Sequence, residues 1–242
     1  MAAQSAGFQR LTARSVVLSV LLGAHPASAS VAELLSLTAD FGIREQTLRV
    51  ALTRMVSAGD LVREQQGYRL TERLLARQSR QDRAIEPHDN PWDGQWLTIA
   101  ITTIGADAKT RGELRNILLH HRFGELREGV WLRPDNLGTA LPPIIRDNSR
   151  ILRSRDEDPA QLVALLWDLP SWAAAGRALV ERMDAEIGVP DRFTVAAAIV
   201  RHLRTDPMLP GDLLPPNWPG NALRRKYTEF AAELAARRKD SA

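Results

Sequence analysis

The hydrophobic and polar positions of the first seventy residues follow a helical period before they change to the period of strands. Apolar residues dominate 12–24, and Gly23 predicts the end of this first helix. A second helix is predicted from Ser30 to Gly42, because Ser30 and Glu33 have the spacing of a capping box. The two helices are short and amphipathic, so they need a further helix to cover their apolar sides.

A third helix is predicted over 44–58, where Leu48, Leu52 and Met55 fall on one apolar stripe. Polar and cationic side chains occupy its other faces. The next stretch, DLVREQQGYRLT, has two short β-capable runs around EQQG and predicts a two-stranded hairpin. Three short helices followed by a hairpin indicate a winged helix-turn-helix.

The polar face of the third helix raises the question of what it contacts. The major groove admits a helix of this size, arginine neutralises phosphates, and Gln and Arg can read base edges. A three-helix module for protein contacts is the alternative that this pattern leaves open. The residues predicted to contact DNA are Arg44, Gln46, Thr47, Arg49, Thr53, Arg54, Arg63, Tyr68 and Arg69.

A polar stretch at 72–90, predicted to be partly helix and partly linker, precedes a change to mixed strands and helices. Leu97, Ile99 and Ile101 alternate with smaller residues and predict a strand. KTRGELRNILLHHRFG then predicts a helix, and GVWLRP and RILRSR predict two more strands, the last of them a third or edge strand. This order is typical of a small α+β domain.

From about residue 158 the pattern becomes helical. A first helical stretch has a break at Pro170 and ends at Gly188, and a second starts at Asp191 and stops before Pro207. The Pro-rich MLPGDLLPPNWPG is irregular and leads to a terminal helix. The predicted domains are a winged helix over 1–83, a small α+β domain over 91–157 and a helical C-terminal domain over 158–242, with effector binding or dimerisation expected in the last.

Charge is distributed unevenly along the 242 residues. Residues 1–83 contain 11 Lys and Arg against 7 Asp and Glu, whereas the remainder contains 21 against 22. The positive excess therefore lies in the first third of the chain, and the 29 Arg against 3 Lys are interpreted as a compositional habit of the chain. The chain has no cysteine, which excludes disulfides, thiolate metal sites and thiol nucleophiles.

Motifs for catalysis are missing: the chain has no Gly-x-Ser-x-Gly, Walker loop or dinucleotide fingerprint. His120 and His121 project about 100° apart on a helix and do not converge on one ion. Asp107, in the loop after the first central strand, is a lone acidic residue, and one carboxylate gives only weak support to a metal-dependent nuclease. We expect no catalytic residue, metal or cofactor, and the alternatives are a nuclease or catabolic enzyme and a scaffold that does not bind DNA.

A cytoplasmic protein without membrane segments is expected, because no apolar run approaches the length of a bilayer span. The stretch RLTARSVVLSVLLGAHPASAS resembles a signal peptide in its arginines and short apolar run. However, Ser19 interrupts that run, and an amphipathic pattern that needs a partner helix follows it directly.

Four motifs in the second half resemble, in order and separation, the PaaX family of bacterial repressors of phenylacetic acid catabolism. They are WDGQW, EGVWLRPDNL, LWDLPSWA and DPMLPGDLLPPNWPG. The stretches ARSVVLSVLLG and FGIREQTLRVALTRMVSAGDLV resemble the N-terminal region of the same family. The resemblance extends from about residue 10 to about residue 225, nearly the whole chain.

The resemblance implies an α+β protein with an N-terminal winged helix-turn-helix, a central ferredoxin-like domain similar to that of Cas2 proteins, and a helical C-terminal region. It also implies a homodimer that represses by binding double-stranded operator DNA and is released by an acyl-CoA such as phenylacetyl-CoA. The loop REQQGYR is shorter and less basic than the family pattern leads us to expect.

Core packing is the simpler role for the tryptophans of the second half. The alternative is an aromatic effector pocket in which an arginine holds a CoA phosphate, since ligand pockets combine apolar walls with a few polar groups. The predicted effector ligands are Trp96, Trp131, Arg133 and Trp167.

Overall fold

The N-terminal helices follow the apolar pattern of the sequence. Thr12 caps the first helix by accepting the backbone N–H of Ser15 at 3.2 Å, and the predicted capping box of Ser30 and Glu33 is present in the second. The structure is a computed structural model that describes residues 11–86, 91–103, 105, 107–185 and 188–239. The first three helices are α1 (Ala13–Leu22), α2 (Val31–Ala39) and α3 (Glu45–Ser57).

The predicted hairpin belongs to a three-stranded antiparallel sheet with the order β1-β3-β2. Its strands are β1 (Ser28–Ser30), β2 (Leu61–Arg63) and β3 (Gly67–Leu70). The sequence does not predict β1, because Ser-Ala-Ser is too short to show a period of two. A side chain at Gly67 would overlap the backbone of Ala29, so the close pairing of β3 with β1 requires a glycine there.

A single apolar core holds these helices and strands together. Leu48, Leu52 and Met55 are buried as predicted, and they pack with Leu21 of α1 and Leu70 of β3. Their burial leaves the opposite face of α3 at the surface. The arrangement is a winged helix-turn-helix, in agreement with the predicted fold class.

The polar stretch after the hairpin is helical along most of its length, as α4 (Glu72–Ile85). Gln78 is buried on this helix, and its side-chain amide donates to the carbonyl oxygens of Leu21, Leu22 and Ala24 at 2.8–3.2 Å. These bonds supply a side-chain donor to carbonyls at and just beyond the C-terminal end of α1, where intrahelical donors run out. Residues 87–90 of the predicted linker lie outside the described residues.

The central region forms a four-stranded antiparallel sheet with the order β5-β6-β4-β7. Numbered within the domain, this order is 2-3-1-4, which is the ferredoxin-like arrangement. The strands GVWLRP and RILRSR are confirmed, and the latter lies at an edge, whereas β5 and α6 are too short and polar to be predicted. The elements are β4 (Trp96–Ile101), α5 (Ala108–His120), β5 (Gly124–Arg127), β6 (Val130–Pro134), α6 (Pro143–Asn148) and β7 (Ser149–Ser154).

Both faces of this central sheet are covered. Leu114 and Leu118 of α5 and Ile145 of α6 pack on one face. Leu162 and Leu209, from the chain that follows the sheet, pack on the other. The two central strands, β4 and β6, therefore send alternate side chains into two different cores.

The C-terminal region is helical, as predicted. Its break at Pro170 separates two helices, and Pro170 stands in the first turn of the second, where its missing N–H costs nothing. The elements are α7 (Pro159–Leu166), α8 (Leu169–Asp184), α9 (Val189–Leu203), a short 3-10 turn (Gly211–Leu213) and α10 (Gly220–Lys239). In the parts of the chain that the structure describes, no helix is long and apolar enough to cross a bilayer.

The chain divides into two compact units. One comprises residues 1–85, 182–200 and 225–242, and the other comprises residues 86–181 and 201–224. Most of α9 and α10 therefore belongs with the winged helix. The division into domains at 1–83, 91–157 and 158–242 stays a prediction.

Candidate nucleic-acid interface

The outward face of α3 is polar and fully accessible. Leu48, Leu52 and Met55 point into the core, and the residues opposite them are exposed. A helix anchored in this way presents one rigid surface of short and forked polar side chains. Six residues make up this outward face: Gln46, Thr47, Arg49, Val50, Thr53 and Arg54.

The arginines of this region fall into two classes. Arg49 pairs with Glu45 one turn away, with its Nη2 2.7 Å from Oε1. By contrast, the ranges that the structure describes contain no ion-pair or hydrogen-bond partner for the side chains of Arg44, Arg54 and Arg63. An unpaired exposed guanidinium keeps all its donors available, so these three are best suited to bind phosphate oxygens.

A groove of about 600 Å³ runs between the start of α1 and the outward face of α3. Gln46, Thr47 and Arg54 line one side, and Arg14 of α1 lines the other. Val50, in the groove wall, is 47% exposed although it is apolar. The surface beside α3 thus combines donors, cations and one apolar contact.

Asp60 fixes the cationic edge of this groove. Its side chain is almost completely buried at the end of α3 and accepts from Arg14 at 2.7 Å and from Arg73 at 2.6 Å. The carboxylate therefore joins α1, the hairpin and α4 at one point. Neither Arg14 nor Asp60 was predicted from the sequence, because the contacts of Asp60 span 46 and 13 residues and leave no local pattern.

The hairpin contributes fewer accessible residues than predicted. Arg63 is exposed, whereas Tyr68 is half-buried against the N-terminal core and pairs across the sheet with Ala29. Arg69 is half-buried and donates to Glu64 at 2.9 Å and to the carbonyl oxygen of Leu70 at 3.1 Å. The DNA contacts of Tyr68 and Arg69 stay predictions.

Family models match three successive parts of the chain. The model for PaaX-like proteins matches residues 12–74, the PaaX central Cas2-like domain matches residues 89–150, and the PaaX-like C-terminal domain matches residues 171–241. The chain belongs to the PaaX family.

A solved structure resembles this PaaX chain along nearly its whole length. It is that of uncharacterized protein Rv0674 from Mycobacterium tuberculosis, which is 59% identical, with a TM-score of 0.87. The match covers 96% of this chain and 99% of the other. No curated protein matches. Membership of the PaaX family indicates a transcriptional regulator.

The predicted effector residues of this PaaX protein lie on opposite faces of the central sheet. Trp131 packs in the core beneath α5 and α6, and Arg133 follows it two residues later on the same face, stacked over Phe123. Trp96 and Trp167 lie in the core on the other face. One pocket therefore cannot be lined by all four residues, because the sheet separates them.

Arg133 is unusual because it is buried without a carboxylate partner. It is 1% exposed, and its Nη2 donates to Thr139 Oγ1 at 3.3 Å, while Nε and Nη1 have no hydrogen-bond partner among the described residues. Burial lowers the pKa of Arg133 to about 10, and the charge of Asp135 opposes that shift. This guanidinium is suited to an anion, but its surroundings are apolar and closed.

The C-terminal aromatic motifs form a separate stack. Trp172 lies parallel to Trp218 with ring centroids 4.4 Å apart, and His202 stacks on the other side of Trp172 at 4.1 Å. Burial lowers the pKa of His202, although its bond to the Trp172 carbonyl oxygen and the charge of Asp206 oppose this. The rings pack on each other, which gives these motifs a structural role.

Asp107, the acidic residue of the nuclease hypothesis, caps a helix. It stands at the N-cap of α5, and its carboxylate accepts the backbone N–H of Thr110 at 2.7 Å. This bond holds the pKa of Asp107 below its usual value. In the part of the chain that the structure describes, no three His, Asp or Glu side chains are grouped as a metal site would need.

Proposed function

We propose that this protein is a transcriptional repressor that binds operator DNA with α3 in the major groove. The observation that supports this most directly is the outward face of α3. There, Gln46 and Thr47 stand beside Arg54, whose guanidinium has no partner among the described residues. Forked amide and guanidinium groups are suited to base edges, and unpaired arginines are suited to phosphates.

The start of α3 adds to this support. Arg44 is the N-cap residue, and its side chain makes no capping hydrogen bond. Free backbone N–H groups and a cation therefore meet at this helix end, where a phosphate would be stabilised. Arg63 supplies a further unpaired cation, among the described residues, from the hairpin.

We further propose that the repressor is a homodimer. A single winged helix contacts few base pairs, so specific repression needs two half-sites. A two-fold dimer would place its α3 helices about 34 Å apart, or a multiple of this, and would bind an inverted repeat. The family resemblance and the apolar surface after residue 90 motivate this part of the proposal.

The effector in this proposal is an acyl-CoA, with an aryl-acetyl thioester as the first candidate. It would bind the DNA-free conformation better than the DNA-bound one, and DNA would weaken effector binding by the same factor. Arg133 is the residue to test as a partner of the CoA phosphates, since two of its nitrogens, Nε and Nη1, have no acceptor among the described residues.

A gel-shift experiment on the DNA upstream of the protein's own gene tests the function. We expect a retarded band whose affinity falls with salt, because phosphate contacts release counterions. Phenylacetyl-CoA should weaken binding roughly five- to 150-fold. Absence of any specific band would reject the repressor, whereas a band that no acyl-CoA alters would reject only the effector.

A triple variant tests whether α3 is the helix that binds the DNA. Replacing Gln46, Arg49 and Arg54 by alanine should abolish the specific band, and circular dichroism should show an intact fold because all three side chains are exposed. The matched control is Arg146→Ala, which removes an exposed arginine from α6. Unchanged DNA affinity of the triple variant would end the assignment of α3.

A further inference from the structure

We propose that α9 and α10 form a clamp that holds the helix-turn-helix in its DNA-binding geometry, and that Arg238 is a positioning residue for α3. This inference rests on the proposed DNA binding. It extends the DNA-binding machinery to the last helix of the chain, far from the predicted winged-helix domain in sequence.

Arg238 contacts the N-terminal end of α2 and the strand before it. Its Nε donates to Glu33 Oε1 at 3.0 Å, and its Nη2 donates to the carbonyl oxygen of Ser28 at 2.7 Å. The other carboxylate oxygen of Glu33 accepts the N–H of Ser30 at 2.6 Å and completes the capping box. One carboxylate thus serves both the helix cap and the clamp.

This shared carboxylate is held in its charged form. Burial raises the pKa of Glu33, but the hydrogen bonds from Ser30 and the guanidinium of Arg238 outweigh burial, so the net pKa lies below the usual value. Both side chains are only 17% exposed, which makes this pair less screened than a surface ion pair. It is therefore a stronger restraint than the exposed pairs of α10.

A second contact reaches the opposite end of α2. Asp40 is the C-cap residue of that helix, and its Oδ2 lies 3.3 Å from Nη1 of Arg237. Two consecutive residues of α10 therefore hold both ends of α2. A helix of nine residues that is bound at both ends cannot tilt independently of α10.

Aromatic rings hold the turn that leads from α2 to α3. Phe41 in that turn packs edge-to-face on Phe193 of α9, with ring centroids 5.0 Å apart. Phe193 in turn contacts Phe230 of α10 at 6.3 Å. Arg192 lies over the Phe230 ring and makes two hydrogen bonds to Glu233, which joins α9 to α10.

These contacts fix the position of α3 because α3 follows α2 through only a short turn. Loss of the clamp would leave Glu33 and Phe41 without their partners and would let the turn take other conformations. DNA would then have to order the turn upon binding, and affinity would fall. A ligand that displaced α10 would have the same effect, which gives the C-terminal region a route to control DNA binding.

Arg238→Ala in the full-length protein tests this clamp, with the upstream DNA fragment as the probe. We expect DNA affinity to fall at least about fivefold, the lower end of typical couplings between sites. Amide hydrogen exchange of residues 31–43 should become faster in the free protein, because local opening of α2 and the turn becomes easier. Arg238→Lys, which keeps the charge but not the fork, should restore part of both effects.

The matched control is Arg225→Ala, since Arg225 is an exposed arginine of α10 whose nearest carboxylate, Glu229, lies on the same helix at 3.9 Å. Arg225→Ala should change neither the DNA affinity nor the amide hydrogen exchange of residues 31–43. Phe193→Leu should repeat the Arg238→Ala result through the turn. If Arg238→Ala fails to fold, Phe193→Leu and Arg238→Lys still test the clamp.

A double-mutant cycle shows whether Arg238 acts through Glu33. Glu33→Gln keeps an acceptor for the Ser30 N–H but removes the charge that Arg238 binds. Adding Glu33→Gln to Arg238→Ala should therefore change DNA affinity and amide exchange little further. Wild-type exchange of residues 31–43 in Arg238→Ala would overturn the clamp. If the wild-type protein does not bind the DNA at all, the proposed function fails, and the exchange measurement still tests the clamp.

Discussion

Arg54 on α3 and Arg133 on β6 are both arginines without a carboxylate partner in the described chain, but their surroundings are opposite. Arg54 is exposed, so water solvates its charge and a phosphate can replace that water at little cost. Arg133 is 1% exposed, and its charge has lost its hydration without gaining full hydrogen bonding. An unpaired arginine therefore indicates a binding surface outside the core and an energetic cost inside it.

That cost leads to the largest predicted effect. A pKa lowered to about 10 means that the unfolded chain binds this proton more tightly than the folded chain. At every pH below about 10, the free energy of unfolding is therefore roughly 3 kcal/mol lower than it would be if Arg133 kept its ordinary pKa. Arg133→Met, which fills similar volume without charge, should raise the free energy of unfolding by about 1–4 kcal/mol in urea melts.

Arg133→Lys is the control for this substitution. It keeps a buried charge and should give no gain in stability. A loss of stability in Arg133→Met would show that the guanidinium is satisfied in the folded protein, and the contrast with Arg54 would then disappear. If Arg133 binds the effector, the Met variant should also lose acyl-CoA binding in calorimetry.

The second prediction compares arginines on one helix. Arg54 has no partner in the described chain, whereas Arg49 must first give up part of its interaction with Glu45. If Arg54 contacts a guanine, Arg54→Ala should therefore weaken operator binding by about 1–3 kcal/mol, and Arg49→Ala should weaken it less. Titrations by fluorescence anisotropy at several salt concentrations measure both.

The salt dependence distinguishes the roles of these arginines. A phosphate contact weakens binding to all sequences and lowers the salt slope by about one, whereas a base contact changes sequence preference. A larger loss of operator affinity for Arg49→Ala than for Arg54→Ala would show that the ion pair with Glu45 opens in the complex. In that case, ion pairing in the free protein would not predict which arginine contributes more to DNA binding.

The same comparison explains which parts of the molecule the sequence could predict. The stripe of Leu48, Leu52 and Met55 has a helical period, so both the buried face and the exposed face of α3 follow from it. The alternation of β6 predicts that Trp131 and Leu132 point apart, but not that both faces of the sheet are covered. The sequence therefore does not show that the sheet separates Trp96 and Trp167 from Trp131 and Arg133, and their contacts with an effector stay predictions.

Long-range contacts account for most of what the sequence did not predict. Arg238 and Glu33 are 205 residues apart, and no local pattern links them. Likewise, β1 and β5 are three and four residues long, and they become strands only because β3 and β6 offer partners. Helix periods and caps are local properties, whereas the choice of packing partner is a property of the whole fold.

The smallest predicted effect concerns Val50, the apolar residue at the centre of the outward face of α3. It is 47% exposed, and its neighbours at the groove are Gln46 and Arg54. In a major groove the apolar partner available to such a side chain is the methyl group of thymine. Burial of one methyl group stabilises a complex by about 0.8 kcal/mol. Val50→Ala removes two methyl groups, and with one of them against the thymine methyl, operator binding should weaken by roughly 0.8 kcal/mol.

Deoxyuridine makes this last prediction specific, since it lacks only the thymine methyl group. Replacing the operator thymines one at a time should reveal one position where the wild-type protein loses about 0.8 kcal/mol and the Val50→Ala variant loses almost nothing. Val50→Thr, which keeps a methyl group at that place, serves as the matched control and should still discriminate thymine from uracil. If every position gives equal losses in wild type and variant, Val50 does not contact thymine, and its exposure on α3 has to be explained by a protein contact instead.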